Sequence, residues 1–253
     1  MCRDSYIWAE IAVFVLNLSD IIFCKHRPIT ISVIEQLAYK NKALVIVLQE
    51  TDCTTTYNLV ISNFSLAGSV LNRKQGLATF VHEQLEWRLI DHSPEKSDTE
   101  WLGMDVAIYK TINVYKPPSS WFMPTAIPMF PHPNLYAGDL NCWCVTWVYS
   151  ISPDGEILDS CAATDTHALL QAPNGVASFS HRWNVGTNPD LAIGSVGHDN
   201  RLPARGVLGT FPRSHHRPYI ITPLRFEIPA YSDPAKPWNF LTVDWSDFCP
   251  LTD

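Results

Sequence analysis

An α/β sandwich, two mixed β-sheets covered by helices, is the fold this sequence predicts. Three observations carry it. Short apolar runs of strand length recur along the chain, bounded by polar, Gly or Pro punctuation. Only a few segments between them show helical periodicity, the pattern of strands interleaved with helices. Thr, Val, Ile, Trp and Pro are plentiful while helix-favouring Lys and Glu are scarce, which leans toward strands joined by loops.

Each element follows from its own stretch. Residues 11–18 (IAVFVLNL) read as a buried first strand ending near Asn17. Residues 31–41 carry apolar side chains at 31, 33, 34, 37 and 38, which predicts one amphipathic helix. The run 43–48 (ALVIVL) is a strand that delivers Gln49 and Glu50 at its end. Strands follow at 77–82 (LATFVH) and 87–91, paired with each other, and a polar loop covers 93–100. Residues 105–109 and 111–115 predict a hairpin around Lys110. The proline-rich stretch 117–133 must be irregular or a short capped helix. Residues 135–139 form a strand carrying GDLN, 155–166 a helix, and 167–171 a short strand or helix end. Two strands at 177–179 and 191–193 flank the connection 180–190, and 217–226 is the final strand region. After Pro229 the composition changes to AYSDPAKPWNFLTVDW, so 1–228 reads as the domain and 229–253 as a linker or truncated C-terminal extension.

Bulk properties narrow the function classes. The chain has 253 residues, enough for a substantial core, and its 46% hydrophobic and 17% charged content excludes a disordered protein. A net charge of −7 argues against a protein that simply coats nucleic acid. It is compatible with an enzyme whose carboxylates hold a cation between itself and a phosphate. The seven cysteines are odd in number and include no CxxC, which fits reduced thiols in an intracellular protein. The apolar run 11–24 is too short to span a bilayer and is interrupted by Asn17, Ser19 and Asp20. The residues before it carry no net positive charge, so neither a membrane span nor a signal peptide is expected.

The chemistry lies in five short sequences in a fixed order: LQE at 48–50, NVY at 113–115, GDLN at 138–141, NPD at 188–190 and SHH at 214–216. Each puts a polar residue at or just past the end of an apolar run. Cleaving a phosphodiester needs a positioned water, neutralisation of charge on the phosphate and help for the leaving oxygen, and a hard cation supplies the last two. Glu50 suits a ligand of that cation. Asp139 and Asn141, two apart, would point to one side of extended backbone; the first can take a proton from water and the second can hold a phosphate oxygen. Asp190 can orient and polarise a histidine, for which His216 is the candidate. Tyr115 can hydrogen-bond a phosphate oxygen.

On these residues the chain resembles the endonuclease/exonuclease/phosphatase family, and within it the endonuclease domain of non-LTR (LINE-type) retrotransposon proteins. The resemblance runs from about residue 11 to about residue 226. It implies a four-layer α/β sandwich, and a metal site in which Asn17 (FVLNLSD) joins Glu50. It implies Asp139 as the group that activates water, Asn141 as a phosphate contact, Asp190 as the partner of catalytic His216, and Tyr115 at the active site. The cofactor implied is Mg²⁺. His215 stands where the family usually has Asp, and a neutral imidazole ligates a softer ion such as Mn²⁺ better than Mg²⁺. The loop 180–188 (SHRWNVGTN) corresponds to a hairpin that reaches into a DNA groove in the retrotransposon nucleases. His181, Arg182 and Trp183 would then touch DNA, with Ser214 beside them. The expected activity is a DNA endonuclease whose nick leaves a 3′-hydroxyl, in a longer parent protein with a reverse transcriptase, nuclear when acting on chromosomal DNA. The competing expectations are a relic or nucleic-acid-binding module of the same fold without catalysis, and the same chemistry on a phosphoinositide or an RNA tail.

Overall fold

A computed structural model describes residues 6–18, 23–56, 60–72, 75–94, 97–144, 152–164, 167–170, 176–180, 186–195, 202–212 and 214–229. The first half of the chain forms β1 (Tyr6–Asn17), α1 (Phe23–Lys40), β2 (Ala43–Gln49), β3 (Phe64–Val70), β4 (Leu77–His82), β5 (Trp87–His92), β6 (Glu100–Val106) and β7 (Tyr109–Tyr115). The second half forms β8 (Asn134–Asp139), α2 (Pro153–Thr164), β9 (His167–Leu169), β10 (Phe179–Ser180), β11 (Gly186–Thr187), β12 (Asp190–Ser195), β13 (Ala204–Val207) and β14 (Tyr219–Pro229). The chain divides into two compact units, Glu10–Arg225 and the combined ends Met1–Ala9 with Phe226–Asp253. All the site residues discussed below belong to the first. Of the extension read at 229–253, only Pro229 is among the described residues.

Two six-stranded mixed sheets make the scaffold, with orders β13-β14-β1-β2-β4-β3 and β5-β6-β7-β8-β12-β9, beside a small β10-β11 hairpin. The sheets contact each other face to face, β2 against β7 and β8, and β4 against β6 and β7. In the first sheet Phe14, Leu16, Ile46, Leu48, Ala78 and Phe80 pack with Ile34 and Ala38 of α1. The alternate residues Val13, Val15, Val45, Val47 and Val81 are buried too, and alternation turns them toward the second sheet. Strands covered on both faces read as unbroken apolar runs, which is why IAVFVL and ALVIVL stand out in the sequence. In the second sheet Ile112, Val114, Tyr136, Leu191 and Ile193 pack with Leu158 of α2 and with Phe122 and Ile127 of the proline-rich loop. With α1 on one outer face and α2 on the other, this is the four-layer sandwich the sequence predicts.

Several local expectations need correction. β4 and β5 do not pair; β4 joins β2 and β3 in the first sheet, while β5 joins β6 in the second. The β6–β7 hairpin turns at residues 107–108, with Val106 opposite Tyr109 and Ala107 at φ 53°, and Lys110 lies inside the strand opposite Asp105. The helix α1 starts at Phe23, eight residues before the predicted position. Edge strands β3 and β13 had no counterpart in the sequence reading, and the connection 180–190 contains the β10–β11 pairing. The stretch 117–133 is irregular, as its prolines require. Cys53, Cys142 and Cys144 are buried and Cys161 is half-buried. No helix among the described residues is long and apolar enough to cross a membrane.

Candidate active site

Strand register assembles the site. Across the second sheet Glu100 lies opposite Tyr115, Tyr115 opposite Asp139, and Asp139 opposite Asp190, one row over β6, β7, β8 and β12. In the first sheet Asn17 lies opposite Gln49 at the matching ends of parallel β1 and β2, with Glu50 following. Alternation turns Asn17, Tyr115 and Asp139 into the space between the sheets, where Asn17 Nδ2 donates to Asp139 Oδ2 at 2.7 Å and to Glu50 Oε1 at 3.3 Å. The Tyr115 hydroxyl feels the Glu50 carboxylate, whose charge disfavours its ionisation. Asp139 Oδ1 accepts the Asn141 N–H at 3.1 Å, and Asn141 Nδ2 donates to the Lys116 carbonyl at 2.9 Å. His216 Nδ1 lies 3.0 and 3.1 Å from the two oxygens of Asp190. Asn17, Glu50, Tyr115, Asp139, Asn141, Asp190 and His216 thus come together.

Backbone conformation explains the motif spellings. Gly138 of GDLN sits at φ 152°, and a Cβ there would run into the Val114 carbonyl on the neighbouring strand, so only glycine lets β8 lie this close to β7. Glu50 and Asn141 both take left-handed conformations, at φ 51° and 47°. Asn tolerates this well; for Glu it costs about 1 kcal/mol, strain of the kind that collects at functional sites.

The electrostatics are crowded. Burial, then the charge of Asp190 directly across the strands, push Asp139 up to about 8, against a lowering by His216. Burial disfavours the charged form of His216, but the charge and hydrogen bond of Asp190 outweigh it and raise the imidazole to about 9. Tyr115 is pushed far up by burial and by the charges of Glu50 and Asp139, so it stays a neutral donor. Donor atoms of Asp139, Asp190 and His216 all lie within 4.8 Å of one another, close enough to share an ion. The protonated imidazole argues for a different division: His216 and Asp190 form an ion pair, and Glu50 and Asp139 face the Asn17 amide from either side. That remaining set offers only hard oxygen donors, the kind Mg²⁺ takes, so the site fits a divalent cation.

The chain matches no protein-family model and no curated protein. Solved structures do match. The endonuclease domain of TRAS1, a telomere-specific non-LTR retrotransposon, superimposes with a TM-score of 0.58 at 14% identity, covering 85% of this chain and 98% of that one. An AP endonuclease from Archaeoglobus fulgidus gives 0.63 at 14% identity, covering 83% and 98%. A mannosyl-6-phosphatase from Bacteroides thetaiotaomicron gives 0.56 at 12% identity, covering 83% and 98%. This chain has the endonuclease/exonuclease/phosphatase fold. The similar proteins include endonucleases and a mannosyl-6-phosphatase, so the fold alone does not choose a substrate.

Two of the sequence-predicted positions sit differently from the rest of the cluster. His215 is exposed, with its ring 6.2 Å from that of Phe179, and is not in the cluster of ion-sharing donors found among the described residues. Ser214 Oγ accepts the His216 N–H at 3.0 Å and so shapes the turn that presents the imidazole. His181, Arg182 and Trp183 lie outside the described residues; the β10–β11 pairing on either side of them is built onto the His216 loop. Phe179 bridges to His216, their rings 4.7 Å apart; Arg217 N–H donates to the Ser178 carbonyl and Ser178 N–H to Asn188 Oδ1.

Three residues that sequence reasoning passed over hold the site together. Gln49 Nε2 donates to Asn113 Oδ1 at 2.7 Å, and Asn113 Nδ2 donates to the Leu48 and Ala78 carbonyls, an amide clasp joining the two sheets. Lys116 is fully buried; its Nζ meets Asp154 at 3.1 Å and the Pro117 and Ser120 carbonyls at 3.2 and 2.8 Å. The signal for the first two was present, since LQE and NVY each carry a second polar residue inside an apolar strand, where a buried amide needs a partner.

Proposed function

We propose that this protein is a divalent-metal-dependent DNA endonuclease whose nick leaves a 3′-hydroxyl. The observation that carries the reading is the continuous set Glu50–Asn17–Asp139 beside the Asp190–His216 ion pair, gathered at the end of the space between the sheets. Glu50 and Asn17 would hold Mg²⁺ or Mn²⁺. When bound, that ion supplies positive charge to the phosphate and favours the ionised, proton-accepting form of Asp139. Asp139 orients the attacking water and takes its proton. Asn141 keeps one amide hydrogen on the Lys116 carbonyl and has another for a phosphate oxygen. His216, charged at neutral pH with Nδ1 on Asp190, offers Nε2–H to the charge that builds on the phosphate. Tyr115, neutral beside Glu50, fixes the wall of the site.

The likeness to the TRAS1 domain supports the nicking role within a longer retrotransposon protein, where the 3′-hydroxyl would prime a reverse transcriptase acting on nuclear DNA. His215 stands where the family usually has Asp but is exposed and outside the donor cluster, so the choice between Mg²⁺ and Mn²⁺ rests with Glu50 and Asn17. The same substitution and the −7 charge favour one second reading, a relic or nucleic-acid-binding module that has lost catalysis. Nicking of supercoiled plasmid with Mg²⁺, Mn²⁺ or EDTA, beside Asp139→Ala and His216→Ala, separates the two. EDTA-sensitive nicking abolished by both substitutions establishes the nuclease; no nicking by the folded protein with either metal selects the second reading.

A further inference from the structure

Two tryptophans turn their side chains to solvent on the loops that leave the site. Trp121 is 70% exposed and Trp143 41% exposed. They follow Tyr115 and Asp139, which are register partners at the ends of parallel β7 and β8, so both loops leave the sheet at the active-site end. Their flanking residues go the other way: Phe122 beside Trp121, and Cys142 and Cys144 on both sides of Trp143, are buried in a single core cluster. The loops are also braced to each other. Lys116 Nζ holds the Ser120 carbonyl, next to Trp121, and the Asp154 carboxylate; Ser152, which caps α2 at Gly155, hydrogen-bonds both the N–H and the carbonyl of Trp143. A Cβ at Gly155 would run into that same carbonyl, so helix and loop are in close contact. Exposing two indoles on cross-braced loops beside the candidate site costs apolar hydration that packing inward would avoid.

The charge balance says what such surfaces would take. At −7, with the buried Lys116 committed to Asp154, the protein has little electrostatic affinity to spend on a phosphate backbone. Stacking on a nucleobase gives affinity that needs no net positive charge and accepts any base, but only a base free of its own stack. Building on the nuclease reading, we propose that Trp121 and Trp143 are stacking platforms for unpaired nucleobases flanking the scissile phosphate, so that the preferred substrate is DNA with locally opened strands.

The test is a binding measurement in EDTA, where no cleavage occurs. Fluorescein-labelled duplexes of one sequence, one fully paired and one with a central unpaired bubble, are titrated by anisotropy with wild type, the double variant Trp121→Ala/Trp143→Ala, and Trp121→Phe/Trp143→Phe. Wild type is expected to bind the bubble about tenfold more tightly than the duplex, the alanine variant to lose that preference, and the phenylalanine variant to retain most of it. A wild type without bubble preference, or an alanine variant that keeps it, overturns the proposal and assigns the exposed indoles to something other than bases. Plasmid nicking by the same preparations with Mg²⁺ or Mn²⁺ reports on the nuclease reading separately. Bubble preference without nicking sinks that reading and leaves the platform; nicking with an unchanged preference does the reverse.

Discussion

Replacing Asp190 with Asn should flatten the dependence of stability on pH. His216 titrates at 6.5 when free and at about 9 in the fold. That gap is worth about 3 kcal/mol of stability, complete below pH 6.5 and lost as pH rises through 9, because the folded value is the higher one. Asp139, raised from 3.8 to about 8, acts with the same sign: its contribution is complete below 3.8 and lost as pH climbs through 8. Without metal, both slopes therefore descend toward alkali, and both depend on the Asp190 carboxylate. Its charge and hydrogen bond hold up the imidazole, and its repulsion follows burial in raising Asp139. An amide in its place would keep the shape and an acceptor for Nδ1 without the charge. Urea unfolding in EDTA at pH 6.5 and 9 should show wild type losing about 4–5 kcal/mol and Asp190→Asn about 2 kcal/mol over the same interval, the part that burial of Asp139 leaves in place. Parallel losses in the two proteins, or wild-type stability that rises toward pH 9, would refute the assignment of His216 as a cation held by Asp190.

Other predictions bear on separate parts of the structure. Asn113→Ala strips partners from Gln49 and from two strand carbonyls between the sheets, and should lower the unfolding free energy by about 2–4 kcal/mol, read from the urea midpoint with its slope unchanged. Lys116→Met leaves the Asp154 carboxylate without its buried cation and should cost about 3–5 kcal/mol in the same assay, with Lys116→Arg recovering part of it. Glu50→Gln keeps an acceptor for Asn17 but removes a charge near Asp139; in EDTA the melting temperature should hold or rise. The increase that Mg²⁺ produces in wild type should disappear, since binding to the folded state alone is what shifts the midpoint.

Legibility in the sequence followed burial. β1, β2, β4, β7, β8 and β12 are covered on both faces, and their apolar runs gave them away; β3 and β13 lie at sheet edges, half-exposed, with Gly68 and Gly206 diluting their pattern. Pairing was harder to see than strand identity. The short link after β4 looks like a hairpin, yet it carries the chain from one sheet to the other, a choice set by which faces need covering and not by residues 83–86 themselves. The turn at 107–108 was misplaced because Lys110 looks like a loop residue; it is in fact an in-strand partner of Asp105 across the hairpin, 3.5 Å away. For the site, the reacting groups were legible because their spellings are short and ordered. Lys116 was not, and Gln49 and Asn113 showed only as polar residues inside apolar strands, because each is explained by a partner on another strand or loop, up to 65 positions away.

Asn17 and His216 meet around Asp139, and they lie near opposite ends of the described chain. A ribosome making this protein would have finished β1, β2 and the whole first four motifs before the imidazole emerged. Until β14 returned to its place beside β1, Asp190 would have no counter-ion and the cluster would be a group of mutually repelling acids. On the proposed nuclease function, cutting power would then arrive late and all at once, with closure of the last sheet strand, and a chain stopped early would be harmless to the nucleic acid around it.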